Sequence, residues 1–173
     1  MNPDQHFNFR FVENKDVEAL HDLFNIPQVN QYLADGVAPA RSLSEQWVAD
    51  AAKHAERSGG GLWILELVED YSLVGLVRLS EDGGRLELTY VVHPSFWKRG
   101  LATKMAKTAL FYSSKAKLSR HVWAGADRAN IGSVKVMQKL GMGFDRDVEY
   151  PLGPGVEYSL NLDDISFSPH FGH

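Results

Sequence analysis

A chain of 173 residues with 44% hydrophobic and 11% aromatic content is long enough for one full core, short for two, and too apolar to remain disordered. Its 18 basic and 22 acidic residues leave a net charge of -4; without a basic run this argues against a nucleic-acid partner and suits a cationic or amine-bearing substrate. The absence of cysteine excludes disulfides, thiolate metal sites and a cysteine nucleophile, so any acyl transfer must be direct or use another nucleophile.

Phe7, Phe9 and Phe11 alternate with polar residues, the period of a half-buried strand. A helix follows, with Asn14 as its cap, Val17, Leu20, Leu23 and Phe24 at helical spacing, and an end before Pro27. Ser42 and Glu45 read as a capping box opening a second helix, with Trp47, Val48, Ala51, Ala52 and Ala55 on one face, stopped by Gly59, Gly60 and Gly61. Three strands are expected at Leu62 to Val68, Leu73 to Ser80 and Arg85 to His93, joined by turns into an antiparallel meander. A third helix occupies about Leu101 to Lys117, and His121 to Ala126 is a short strand. A fourth helix, Ile131 to Leu140, is capped by Asn130 and stopped by Gly141. Strands near Gly143 to Tyr150 and Val156 to Leu162 complete the order, and the residues from about Asp163 read as a frayed tail.

The seven histidines form no paired-ligand spacing, so no metal is expected. No apolar run nears the roughly 20 residues that cross a bilayer, and the polar start lacks a signal core. A cytoplasmic protein without a membrane partner is expected; a monomer and a homodimer fit the sequence equally.

The segment Val91 to Leu110 runs from a β-branched strand through a short loop into a Gly-led helix. Gly100 and Ala102 let a ligand approach the backbone, and the first helical turn offers unpaired N–H groups and partial positive charge to a phosphate or pyrophosphate. Lys98, Arg99 and Lys104 add positive charge. Neither the Walker spacing nor the three-glycine dinucleotide fingerprint is present.

Trp97-Lys98-Arg99-Gly100-Leu101-Ala102, followed by Thr103, resembles motif A of the GCN5-related N-acetyltransferases (GNAT) in the form with Trp first. It looks most like the branch of ribosomal-protein N-terminal and spermidine acetyltransferases. The order of elements is also that family's. The resemblance implies a single α/β (α+β) domain, with a mixed, mostly antiparallel sheet of about seven strands and about four helices. It implies acetyl-CoA as co-substrate, with its pyrophosphate on the loop amides of Trp97 to Thr103, and a primary amine as acceptor, in a small molecule or at a protein N-terminus.

Residue by residue, Glu87 in Leu86-Glu87-Leu88-Thr89-Tyr90 matches the branch's strand Glu and is implied as the base or the anchor of a water relay. Period-two geometry puts it on one face with Thr89 and Val91; the plainer reading is a strand carboxylate paired with Arg78 or Arg85. Val91 and Val92 match the strand end that binds pantetheine amides through backbone groups. Lys98 and Arg99 either bind phosphate or are solvated loop charges. Asn130-Ile131-Gly132-Ser133 matches the family's Asn-x-x-Ser helix start, with Asn130 as pantetheine ligand as well as cap, and Ser133 as thiolate partner or a small packed residue. Lys139-Leu140-Gly141-Met142-Gly143-Phe144 resembles the family's exit from this helix, with Met142-Gly143 as a departure before Phe144. Met137 stands where many members carry a Tyr general acid, so Ser133, water, or Tyr150 or Tyr158 from elsewhere must protonate the thiolate. Acceptor recognition is expected from Tyr32, Asp35, Trp47, Glu149 and the 151–155 loop. The alternative reading of the chain is a non-catalytic CoA-binding or acetyl-CoA-sensing module.

Overall fold

A computed structural model of the protein describes residues 6–33, 36–116 and 119–171. Seven strands form one mixed sheet: β1 (Phe7–Phe11), β2 (Gly61–Leu67), β3 (Leu73–Asp82), β4 (Arg85–Val92), β5 (His121–Asp127), β6 (Gly143–Tyr150) and β7 (Gly153–Asn161), in the order β1-β2-β3-β4-β5-β7-β6. All pairings are antiparallel except β4 with β5. Five α-helices cover the sheet: α1 (Val17–Phe24), α2 (Pro27–Leu33), α3 (Arg41–Ser58), α4 (Leu101–Ala116) and α5 (Ile131–Lys139). This is the α/β architecture that the sequence implied, with one helix more.

The pleat sorts the core into two layers. Leu20, Leu23 and Phe24 of α1 and Val48 and Ala51 of α3 bury Leu62, Ile64, Leu76 and Val91 on one face. On the other face Met105, Ala106, Ala109 and Leu110 of α4 and Met137 of α5 bury Leu65, Val77, Leu79, Leu86, Leu88 and Val122. Neighbouring strand residues therefore face opposite layers. Among the described residues no helix is long and apolar enough to cross a membrane.

Four local expectations are corrected. Pro27 opens α2 rather than only closing α1, because its missing N–H and fixed φ suit the first helical position. Asn14 does not cap α1: Glu13 and Asp16 form a capping box around a 3-10 turn, and α1 begins after it. α3 starts at Arg41, one residue before Ser42, and Glu45 accepts from Arg41 Nε at 3.0 Å instead of closing a box. The segment after Asp163 is not frayed as far as it is described. Phe171 stacks on Phe9 at 5.6 Å, the His170 backbone N–H donates to Thr108 Oγ1 at 3.0 Å, and Arg120 pairs with Asp163. Scattered aromatics, rather than periodicity, dock this segment over α4 and β1, so no regular pattern announced it.

Candidate active site

β4 and β5 pair over only two positions, Leu86 with Val122 and Glu87 with Trp123. Beyond Leu88 β4 remains paired with β3 as far as Val92, while among the described residues no strand pairs with its other edge. Backbone polar groups on that edge are left for a ligand. Gly75 on β3 lets β4 approach closely here, since a Cβ would lie 2.5 Å from the Val91 carbonyl oxygen.

A cleft of about 710 Å³ opens in this gap. One end is the loop leading into α4. Lys98 and Gly100 both take left-handed backbone angles, φ 61° and 75°, and Gly100 faces open space where a Cβ would meet nothing. The Lys104 N–H bonds the Gly100 carbonyl at 3.1 Å, so α4 starts there with its first-turn N–H groups towards the cleft that Leu101, Ala102 and Thr103 line. Trp97 braces the loop: its indole N–H donates to the Val92 carbonyl at 2.6 Å. Lys98 lines the cleft, joined by Lys135 and Lys139 of α5. Arg99 does not; its guanidinium lies over the rings of Phe96 and Phe7, 5.3 and 5.7 Å from their centroids.

The other end is the start of α5. Asn130 caps the helix by accepting from the Ser133 N–H at 3.1 Å and lines the cleft with Ser133. Tyr90 reaches across from β4: its hydroxyl donates to the Ser133 carbonyl at 2.9 Å and lies 2.7 Å from Ser133 Oγ. Burial pushes the Tyr90 phenol up to about 12, against a smaller opposing effect of its bond to Ser133, so it keeps its proton at neutral pH. Met137 is fully buried in the α4-side core. Tyr158 packs edge-on against Phe144, and Tyr150 lies over the bare backbone of Gly125 and Gly155.

Tyr90 and Ser133 also border a second cavity of about 230 Å³, lined by Glu87, Thr89, Arg78 and Trp47 among others. Glu87 and Thr89 thus face the α3 side, the layer in which Val91 is buried. Burial raises the Glu87 carboxyl above its usual range; Arg78 and a bond from Ser80 pull the other way without reversing the shift. Glu87 closes no ion pair with Arg78 or Arg85 among the described residues; Arg85 pairs with Asp82 at 3.5 Å. Tyr32 borders both cavities, Glu149 is exposed and lines neither, and Asp35 lies outside the described residues.

Of the residues singled out from the sequence, Glu87, Val91, Val92, Trp97, Lys98, Gly100, Leu101, Ala102, Thr103, Asn130 and Ser133 line the two cavities, whereas Arg99, Lys104, Glu149, Tyr150 and Tyr158 line neither. Tyr90 was missed, although it ends the quoted Leu86 to Tyr90 segment. Lys135 was not singled out and Lys139 was named only in the helix exit, because a lone charge on a helix carries no signal of a distant cleft.

Comparison with known proteins gives this geometry a family. The acetyltransferase (GNAT) domain family matches residues 6–143. YkkB of Bacillus subtilis is 26% identical over 144 residues, covering 80% of this chain and 83% of that protein. The fold is similar to that of RimL, a ribosomal L7/L12 α-N-protein acetyltransferase solved with coenzyme A, with TM-score 0.75, 14% identity and coverage of 91% and 94% of the two chains. It is similar also to spermidine N-acetyltransferase of Vibrio cholerae, solved with CoA and spermine, with TM-score 0.74, 17% identity and coverage of 91% and 96%. The chain belongs to the GNAT family of N-acetyltransferases.

Proposed function

We propose that the larger cleft binds acetyl-CoA and that the protein moves its acetyl group directly to a primary amine, in a small molecule or at a protein N-terminus, that enters through the smaller cavity. The observation that carries this reading is the meeting of the two cavities at Tyr90 and Ser133, with Glu87 lining the second. The parted β4 edge suits an extended amide-bearing chain such as pantetheine, through the backbone of Val91 and Val92 and the side chain of Asn130. The loop from Trp97 to Thr103 suits the pyrophosphate, with the open space at Gly100 and the charge of Lys98 as support.

In this reading Glu87 takes a proton from the acceptor ammonium, directly or through water, and the freed nitrogen attacks the thioester carbonyl. The C–N bond forms, the C–S bond breaks and the nitrogen sheds its second proton to water; Ser133 gives its hydroxyl proton to the departing thiolate, and Tyr90 resupplies Ser133 and is itself reprotonated from water. A raised carboxyl suits the base, since a weakly basic carboxylate would leave the ammonium protonated. A phenol that holds its proton suits the donor.

Release of free thiol from acetyl-CoA with a panel of primary amines tests the proposal. Amine-dependent release at a rate proportional to enzyme is the expected result. Binding of acetyl-CoA without release for any amine would instead favour the sensing module.

A further inference from the structure

The smaller cavity holds a cation that acetyl transfer to a simple amine does not require. Arg78 rises from β3 opposite Thr89 and diagonal to Glu87, whose own partner in the register is Ser80. Its guanidinium lies 4.6 Å from the ring centroid of Trp47 on α3, and Trp47 is held edge-on against Phe24 at 5.0 Å. The stack fixes the plane of the guanidinium beside the cavity. Arg78 Nε is buried without a hydrogen-bond partner. Among the described residues no carboxylate closes an ion pair on Arg78: Asp50, which feels its charge, is bonded to Lys53 at 2.8 Å, and Glu87 attracts it without closing a pair.

A half-buried guanidinium that no carboxylate neutralises is costly, and an oxyanion in the cavity that Arg78 lines is the group that best complements it, with two parallel N–H···O bonds. A second ammonium group placed there would be repelled. Glu87, on the same wall, offers the opposite charge to the reacting amine. Diagonal neighbours on adjacent strands lie roughly 7–8 Å apart, within the reach of one small molecule.

We infer that the acceptor is zwitterionic: a primary amine bearing an oxyanion a few bonds away, seated with its nitrogen towards Glu87 and its oxyanion on Arg78. This rests on the acetyltransferase reading above and selects within it, setting polyamines aside. A carboxylate and a phosphonate share the required chemistry.

The test measures kcat/KM for thiol release with the twenty common α-amino acids, their α-amides, aminomethylphosphonate and spermidine, while calorimetry follows acetyl-CoA binding separately. The best oxyanion-bearing acceptor is expected to exceed both its amide counterpart, which lacks the oxyanion, and spermidine by about 10-fold or more, the worth of a charge-assisted hydrogen bond. Whether an amino acid or the phosphonate leads identifies the oxyanion. Arg78→Met should lower kcat/KM for that acceptor about 10-fold to 100-fold, leave the α-amides, which have no oxyanion, within about 3-fold, and keep acetyl-CoA binding. Arg78→Gln replaces it if Arg78→Met does not bind acetyl-CoA, and Arg78→Lys should restore part of the preference. Spermidine or an amide performing as well as the best oxyanion acceptor overturns the inference, as does an unchanged preference in the variant or binding of acetyl-CoA with no oxyanion acceptor acetylated. Failure of the wild-type protein to bind acetyl-CoA overturns the acetyltransferase reading instead.

Discussion

The Tyr90 hydroxyl lies 2.7 Å from Ser133 Oγ, joining β4 to α5 across the gap where β4 and β5 have separated. The pair stands where the two cavities meet, so a group released there finds a hydroxyl with a second hydroxyl behind it. Tyr90→Phe should lower kcat about 10-fold to 100-fold, as expected for loss of a positioned proton donor, with KM for acetyl-CoA within about 2-fold. Ser133→Ala should do the same, and, on the relay proposed above, the double variant should cost little more than either single change. Steady-state kinetics on the four proteins measures this; additive losses would separate the two roles.

Glu87 gives a pH signature. Burial raises its carboxyl, so at acid pH it is protonated, and on the proposed role as base kcat should rise as pH passes through its raised value. Glu87→Gln should depress turnover by about 100-fold, in the usual range for a general base, and remove that acid limb, with acetyl-CoA affinity nearly unchanged. For stability the sign is opposite to that of a paired carboxylate. A raised folded-state value favours the folded protein at low pH, and that contribution is lost as pH rises through it. The Gln variant should therefore melt no lower than wild type at neutral pH, read by thermal denaturation.

Stability at the far edge of the sheet rests on Arg10. Its guanidinium bonds both oxygens of Asp16 at 2.8 Å, and Glu66 Oε1 and Oε2 at 3.1 and 2.9 Å. Both carboxylates are almost fully buried. Arg10→Met strands them and should cost about 3–5 kcal/mol by chemical denaturation. Burial alone would raise Asp16, but the bonds from Arg10 and the Glu13 backbone outweigh it and hold Asp16 below the usual carboxylate range. Its contribution is therefore present above the ordinary carboxylate value and lost as pH falls through the lowered one.

The C-terminal segment should matter to folding. Phe171 stacks on the buried Phe9 and meets Phe7 edge-on at 6.4 Å. Phe171→Ala should destabilise by about 1–3 kcal/mol, the worth of a partly buried aromatic and its ring contacts. Equal denaturation midpoints for variant and wild type would mean that the segment is not docked in solution.

Residues whose role depends on local backbone were legible before the fold was known. Gly100 leaves the backbone open to approach, Asn130 caps the helix it precedes, and strand alternation puts Glu87 on one face with Thr89 and Val91. Residues whose role depends on distant neighbours were not. Tyr90 meets Ser133 only because β4 and β5 part, and Arg78, read as a pairing partner for Glu87, stacks instead on Trp47, 31 positions earlier in the chain. Pro27 misled in the other direction: the rule that it ends a helix is silent on its opening the next.

Whether the cleft led by Gly100 is an acetyl-CoA site is read from calorimetric titration of acetyl-CoA into wild type and Gly100→Val, with ATP as control ligand. A β-branched side chain at φ 75° strains the loop and fills the open space beside it. One site per chain is expected in wild type, with affinity lower by about 10-fold or more in the variant and no competition from ATP. Absence of acetyl-CoA binding to the wild-type protein, or equal binding to both proteins, would contradict an acetyl-CoA site there.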